Sequence, residues 1–223
     1  MACGDKKASC KLAILDPELT VTQPAKVTAL TGLDAVVHAV ETYVTKRRNP
    51  VSLAFSREAW RLLEANFTRV LENPGDLEAR GAMQLGASFA GWAIENSMLG
   101  AAHALANPLT SHFEVPHGLA VGIMLPHVVR FNGAQCGHWY GELLHASVGE
   151  NGAPLPEAGA AGLADFIAEL VRRAELPTQL RECGAIAEKL PDLAAEAAKQ
   201  WTAGHNPRSV GEADMRQLYE AAW

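Results

Sequence analysis

The apolar residues that follow Pro24 recur at the spacing of an α-helix, and this pattern constrains the fold more than any other feature. Four of them are separated by four, three and four positions, which places their side chains on one side of a helix. They are Leu33, Val37, Val40 and Val44. The best strand-like run, Leu12–Leu15, is only four residues long. We therefore predict an all-α multi-helix bundle with a short strand-like stub at its N-terminus.

Turn and cap residues divide the rest of the chain into further helical segments. Asn49 and Pro50 are typical of an N-cap and a first helical residue. The predicted helices cover approximately residues 50–71, 76–98, 100–109, 116–130 and 132–148. Residues 149–156 are rich in Gly and Pro and are predicted to form a loop. Beyond them, Ala-rich helical stretches alternate with breaks at Pro177, Pro191 and residues 204–207.

Composition excludes several classes of protein. The 223 residues are 48% hydrophobic and 20% charged, which is typical of a globular protein. The net charge of −6 argues against a nucleic-acid-binding protein, because contact with phosphates needs a basic face. No apolar run is long enough to span a membrane, and the N-terminal residues lack the apolar core of a signal peptide. The four cysteines form no C-x-x-C pair and are predicted to be free thiols of a cytoplasmic protein.

A candidate metal site begins with Asp34 and His38. These residues are four positions apart, so they share one face of the predicted helix, at the edge of its buried side. A carboxylate in that position needs a partner, because an unpaired buried charge is costly. A divalent metal is one such partner, although a hydrogen-bonded pair without metal is the commoner reason for this spacing.

Three more histidines lie between Leu99 and Gly118, at positions 103, 112 and 117. His117 follows Pro116 at a predicted helix start, where the helix dipole disfavours a charged imidazole and suits a neutral ligand nitrogen. One carboxylate with three imidazoles suits Fe(II) or Zn(II) better than Ca or Mg. Spacing alone does not choose among the histidines. Taken alone, His103 is more typical of a buried core histidine than of a ligand. Surface or rim positions are expected for the rest, which are His112, His127, His138, His145 and His205.

Several stretches of the sequence resemble the C-terminal domain of the iron-containing (group III) alcohol dehydrogenases. They are LDPELT, TGLDAVVHAVETYV, Asn49-Pro50, GAAHALANPL, VPHGLAVGIMLPHVVRFN and NPRS with LYEAAW, in the family's order. The family's metal ligands are an Asp, a His four residues later, and two further His separated by fourteen positions. The resemblance therefore implies that Asp34, His38, His103 and His117 bind the metal, as Fe²⁺ or as Zn²⁺. It sets His112 aside.

The resemblance also implies an activity. The family consists of two-domain, NAD- or NADP-dependent dehydrogenases that interconvert small alcohols with aldehydes or ketones. The metal in the helical domain polarises the substrate oxygen while hydride passes to or from the nicotinamide. On this basis residues 23–223 are expected to form the helical metal-binding domain. Residues 1–22 are expected to be a stub from the edge of the cofactor domain.

Two departures from the family qualify this expectation. The 223 residues contain neither a Gly-rich phosphate loop nor alternating strands and helices, so no cofactor-binding residue can be named. Many relatives have a further histidine four residues after the third ligand, as a proton relay, and this sequence has Asn107 there. A neutral amide does no acid–base work near pH 7, so the catalytic proton relay is unassigned. The alternative is therefore a truncated or split metal-binding domain without catalytic activity, with a homodimer or a separately supplied cofactor domain as its partner.

Overall fold

The computed structural model describes residue 7, residues 10–147 and residues 159–223. The described part contains eight α-helices and no strand. The helices are α1 (Ala25–Val44), α2 (Pro50–Glu72), α3 (Leu77–Asn96), α4 (Ala101–Phe113), α5 (His117–His145), α6 (Gly159–Arg173), α7 (Leu190–Ala197) and α8 (Glu212–Ala222). Short 3₁₀ turns occur at Pro17–Thr20, Leu180–Cys183, Ala187–Lys189 and Trp201–His205. The predicted all-α architecture is confirmed, and the loop predicted at residues 149–156 lies outside the described residues.

The strand-like stub at Leu12–Leu15 was a wrong prediction. These residues have no regular secondary structure, and the side chains of Leu12 and Ile14 are 78% and 82% exposed. An apolar run becomes a strand only when a neighbouring strand pairs with its backbone, and the described residues provide none. Leu19 is also largely exposed, so several apolar side chains lie on the surface at this end of the molecule.

Helix α1 lies at the centre of the bundle. It packs against α2, α3 and α5, whereas α4 packs against α5 and α7. The predicted apolar stripe is confirmed, because its residues Leu33, Val37, Val40 and Val44 are all buried. Residues on other sides of the helix, such as Val36 and Ala39, are fully buried as well. A helix that is apolar on most sides belongs in a core, and α1 therefore carries its polar residues into the interior.

Cap residues define helix starts as predicted, but two predicted boundaries are wrong. Asn49 caps α2 through its side chain, which accepts hydrogen bonds from the backbone of Val51 and Ser52. Helix α4 continues past Pro108 to Phe113, and the buried proline is held by tertiary packing. Residues 117–145 contain two helical segments, as predicted, but they meet at a kink at Cys136, four residues after the break predicted near Asn132. The amide of Asn132 is engaged in tertiary hydrogen bonds and does not interrupt the helix.

No described helix combines the length and the apolar character that crossing a membrane requires.

Candidate metal centre

Three helices bring the four predicted ligands together. Asp34 and His38 lie on α1, His103 lies on α4, and His117 is the first residue of α5. The Oδ1 atom of Asp34 is 3.4 Å from His38 Nε2, 3.5 Å from His103 Nε2 and 3.7 Å from His117 Nε2. Ligand atoms of Asp34, His103 and His117 lie within 4.8 Å of one another. The ring of His38 stacks on that of His103, with centroids 4.8 Å apart.

Two glycines allow α5 to approach α1 closely enough to deliver His117. A Cβ atom on Gly118 would lie 2.0 Å from the carbonyl oxygen of Leu30, and one on Gly122 would lie 2.1 Å from Leu33 Cδ2. No other residue type fits at such an approach without displacing a helix. The pair therefore places the first residue of α5, His117, beside Asp34.

The start of α4 is held by polar side chains from elsewhere in the chain. Gly100 precedes the helix and has no side chain with which to cap it. The carboxylate of Glu41 instead accepts a hydrogen bond from the backbone N–H of Ala102, at 2.7 Å. The amide oxygen of Asn206 accepts a longer one from Ala101, at 3.4 Å. The other Glu41 oxygen lies 2.6 Å from His103 Nδ1, so the helix start and the histidine share one carboxylate.

The electrostatic environment favours neutral rings for His38 and His117 and an ionised carboxylate for Asp34, but it favours a charged ring for His103. Burial lowers the pKa of His38 to about 4 and also lowers the pKa of His117. Burial opposes ionisation of Asp34, but its interaction with His103 and the neighbouring imidazoles lower its pKa. Burial likewise acts against a charge on His103, but Glu41 and Asp34 outweigh it and raise its pKa to about 9. Metal binding requires a carboxylate and neutral ring nitrogens, so Asp34, His38 and His117 already have suitable protonation states, whereas His103 would lose a proton when a metal binds.

The described contacts leave two buried polar atoms without a hydrogen-bond partner at this site, namely Asp34 Oδ1 and His103 Nε2. Such atoms are costly to bury unless something satisfies them. Both face the same small space between the imidazoles, because they lie 3.5 Å apart. One oxygen and three nitrogen donors form a set that suits Fe(II) or Zn(II). The residues present therefore fit a divalent transition metal.

A cavity of about 530 Å³ lies next to this cluster. His38, His103 and His117 line it, and so do Asn107 and Trp201. Asn107 donates a hydrogen bond from Nδ2 to Gln200 Oε1, at 3.1 Å. The volume is in the range of small-molecule sites, and the cavity has three imidazoles in its wall. It can therefore admit a small substrate to a metal held by the cluster.

The other histidines lie apart from the cluster. His112 pairs with Glu196 at 2.9 Å near the surface, and the rings of His138 and Trp139 are in contact. Within the described residues, only His103 and His117 group with Asp34 as mutually close ligand atoms, and His38 adjoins them. The structure thus places the four residues implied by the family resemblance near one another, and their role as metal ligands stays a prediction.

Sequence reasoning missed two residues of the site. Glu41 lies seven residues after Asp34 and three after His38, so it shares their face of α1. This spacing was the sequence signal that could have identified it. Trp201 is 58% exposed and lines the cavity. Nothing in its local sequence indicates this position, because α7 and the 3₁₀ turn after it must first pack beside α4.

Comparison with known proteins assigns the family. Residues 28–223 match the profile of the Fe-containing alcohol dehydrogenase family, C-terminal, and the chain belongs to this family. The 1,3-propanediol dehydrogenase of Citrobacter freundii is 35% identical over 213 residues, which cover 95% of this chain and 55% of that protein. Lactaldehyde reductase of Escherichia coli K12 is 33% identical over 231 residues, covering 99% of this chain and 57% of that protein.

Solved structures give the same result for the fold. The crystal structure of a 1,3-propanediol oxidoreductase superposes with a TM-score of 0.87 at 34% identity, covering 93% of this chain and 55% of that one. An alcohol dehydrogenase from Oenococcus oeni gives a TM-score of 0.87 at 30% identity, covering 93% and 54%. The chain thus has the helical fold of this family and spans about half the length of the relatives it matches.

Proposed function

We propose that this chain provides the metal-binding helical portion of an alcohol dehydrogenase that interconverts small alcohols or diols with their aldehydes or ketones. Asp34, His38, His103 and His117 would hold the metal, as Fe²⁺ or as Zn²⁺. The observation that carries the proposal is the convergence of these four side chains from three helices beside a cavity of about 530 Å³. Hydride would be exchanged with NAD or NADP, as expected for the family.

When bound, the metal would supply Lewis acidity that stabilises negative charge on the substrate oxygen. The chain's own residues provide the surroundings for this chemistry. The lowered pKa values of His38 and His117 favour neutral rings near pH 7, in which one nitrogen of each ring has a free lone pair. Asn107 holds Gln200 in the cavity wall, but its amide cannot exchange a proton there. The hydroxyl proton would therefore leave through water or through a residue other than Asn107.

The proposal assigns residues 23–223 to the metal-binding domain and residues 1–22 to the edge of a cofactor domain. Such a domain would form the remaining wall of the cavity and would bring the nicotinamide to the substrate. The exposed apolar side chains of Leu12, Ile14 and Leu19 support a partner at this end of the molecule, whether a cofactor domain or a second copy of the chain.

A second candidate is a metal-binding helical domain without catalytic activity of its own. It is supported by the location of all four candidate ligands on the described helices α1, α4 and α5, which can form a metal site whether or not nicotinamide binds. The two candidates share the metal site and differ in whether the protein binds nicotinamide and turns over alcohols.

Elemental analysis of anaerobically purified protein tests the metal site that both candidates share. We expect about one Fe or Zn per chain, and loss of it in His38→Ala. Metal content that persists in His38→Ala and in Asp34→Ala would overturn the site. NAD(P)H fluorescence and turnover of 1,3-propanediol then separate the candidates. Saturable binding with turnover supports the dehydrogenase, whereas bound metal without nicotinamide binding supports the second candidate.

A further inference from the structure

Glu41 is a buried acidic residue that makes two contacts of different kinds with one helix. Its side chain lies on α1 and is only 4% exposed. The Oε1 atom accepts a hydrogen bond from Ala102 N, and the Oε2 atom lies 2.6 Å from His103 Nδ1. The two partners are consecutive residues in the first turn of α4. One carboxylate therefore fixes both the helix start and the orientation of the His103 ring.

The contact with Glu41 gives the two ring nitrogens of His103 different roles. An ionised carboxylate can only accept, so its contact with Nδ1 requires that Nδ1 carry a proton. In the neutral ring the lone pair then lies on Nε2, the atom that is 3.5 Å from Asp34 Oδ1 and has no hydrogen-bond partner. Glu41 thus selects the tautomer whose free nitrogen faces the ligand cluster.

Gly100 leaves space for this carboxylate. A Cβ atom at position 100 would lie 3.1 Å from Glu41 Oε1 and 3.1 Å from Asn206 Oδ1, which is closer than ordinary van der Waals contact. The side chains that satisfy the first N–H groups of α4 therefore come from α1 and from the segment before α8. The first turn of α4 depends on α1 for its position.

We propose that Glu41 is a positioning residue for the metal site: it binds no metal but holds the His103 ring in the tautomer and orientation that metal binding needs. The inference rests on the proposed function, because it requires that His103 be a ligand. The metal affinity should then depend on the charge of Glu41, although Glu41 does not belong to the ligand cluster. A carboxylate that only capped α4 would contribute to folding and leave metal affinity unchanged.

Glu41→Gln separates these two roles. The glutamine amide keeps one acceptor oxygen and has an NH₂ donor in place of the other, so it no longer offers a separate acceptor atom to Ala102 N and to His103 Nδ1. Asp76→Asn is the matched control, because Asp76 also caps a helix, accepting from Ala79 N at the start of α3, which holds no ligand. Both variants convert a capping carboxylate into an amide.

The measurement is a Co²⁺ titration in competition with a chelator, on the full chain. We expect Glu41→Gln to bind Co²⁺ about 10- to 100-fold more weakly than the unmodified chain, and Asp76→Asn to bind within about twofold of it. Equal affinity in Glu41→Gln and the unmodified chain would overturn the positioning role and leave the metal site standing. Failure of the unmodified chain to bind Co²⁺ through His38 would overturn the proposed function together with this inference.

A second measurement needs no variant and guards against a Glu41→Gln protein that fails to fold. Nitrogen-15 NMR of the Zn²⁺-loaded chain reports which ring nitrogen of His103 carries the proton. We expect a protonated Nδ1 in slow exchange with water, as its contact with Glu41 requires. A His103 ring with an unprotonated Nδ1 would overturn the inference.

Discussion

The backbone of Gly118 approaches Leu30 so closely that a Cβ atom at position 118 would lie 2.0 Å from the Leu30 carbonyl oxygen. This contact joins α5 to α1 one residue away from His117. Because the obstacle is backbone, it cannot move aside as a flexible side chain would. The distance between α1 and α5 therefore sets the position of His117 relative to Asp34.

Gly118→Ala should consequently damage both stability and metal binding. We expect a loss of about 3 kcal/mol in the free energy of unfolding, at the upper end for overpacked sites. The displaced α5 should carry His117 away from Asp34 and weaken Co²⁺ binding at least about 10-fold. Urea unfolding and chelator competition measure the two effects. Gly137→Ala is the control in the same helix, since a Cβ there meets nothing within 4 Å; equal behaviour of the two variants would contradict the argument.

Metal binding should stabilise the chain, because the ligand cluster exists only when α1, α4 and α5 are packed together. At a free Zn²⁺ concentration about 100 times the Kd, linkage gives about 2.7 kcal/mol. For a chain of this size, this corresponds to a rise in Tm of about 5 to 10 °C. Differential scanning calorimetry with and without Zn²⁺ measures it.

One variant inside the ligand cluster and one outside it test where this stabilisation arises. We expect Asp34→Ala to abolish the Zn²⁺-dependent rise in Tm, because the carboxylate joins all three imidazoles. His138→Ala should retain it, since His138 is exposed and lies outside the cluster. A rise that depends equally on His138 would indicate Zn²⁺ binding at surface histidines and would count against the site.

A buried amide pair connects α5 to the segment before α8. Asn206 Nδ2 donates to Asn132 Oδ1 at 2.8 Å, and Asn132 Nδ2 donates to Asn206 Oδ1 at 3.0 Å. Asn206→Ala leaves the amide of Asn132 buried without these partners, and we expect a loss of about 3 kcal/mol in the free energy of unfolding. Urea denaturation of the single and double alanine variants measures the coupling. The double variant should lose less than the sum of the single ones, and strict additivity would contradict the pairing.

Local signals in the sequence account for most of the helices. Helix starts at Pro50 and Leu77 follow from the cap residues Asn49 and Asp76, whose interactions span only a few positions. The stub at Leu12–Leu15 was predicted wrongly because an apolar run does not reveal whether a pairing strand exists. The break predicted near Asn132 lies four residues later, at the kink at Cys136, and the helix continues through Asn132, whose amide bonds to Asn206, which is distant in the sequence.

The candidate site was accessible to sequence reasoning only in part. Asp34 and His38 could be paired from spacing, since both belong to one helix. Spacing could not show that His103 and His117 lie beside them, because their proximity depends on how three helices pack. The family resemblance was the basis for grouping the four residues. Glu41 was missed although it lies on the same face of α1. Its role depends on Ala102 and His103, which are more than 60 positions away.

Cys136 should be the least reactive of the described cysteines. It is fully buried in α5, and burial raises the pKa of its thiol to about 11. At pH 8 only about one such thiol in a thousand is ionised, and the thiolate is the form that reacts. A short iodoacetamide pulse on the native chain, followed by peptide mass spectrometry, should label exposed Cys10 and leave Cys136 unmodified. The same pulse in urea should label both, because unfolding exposes Cys136 and returns its pKa toward its ordinary value. Labelling of Cys136 at the rate of Cys10 in the native chain would show that α5 opens at this distorted turn, and the packing described for it would then be wrong.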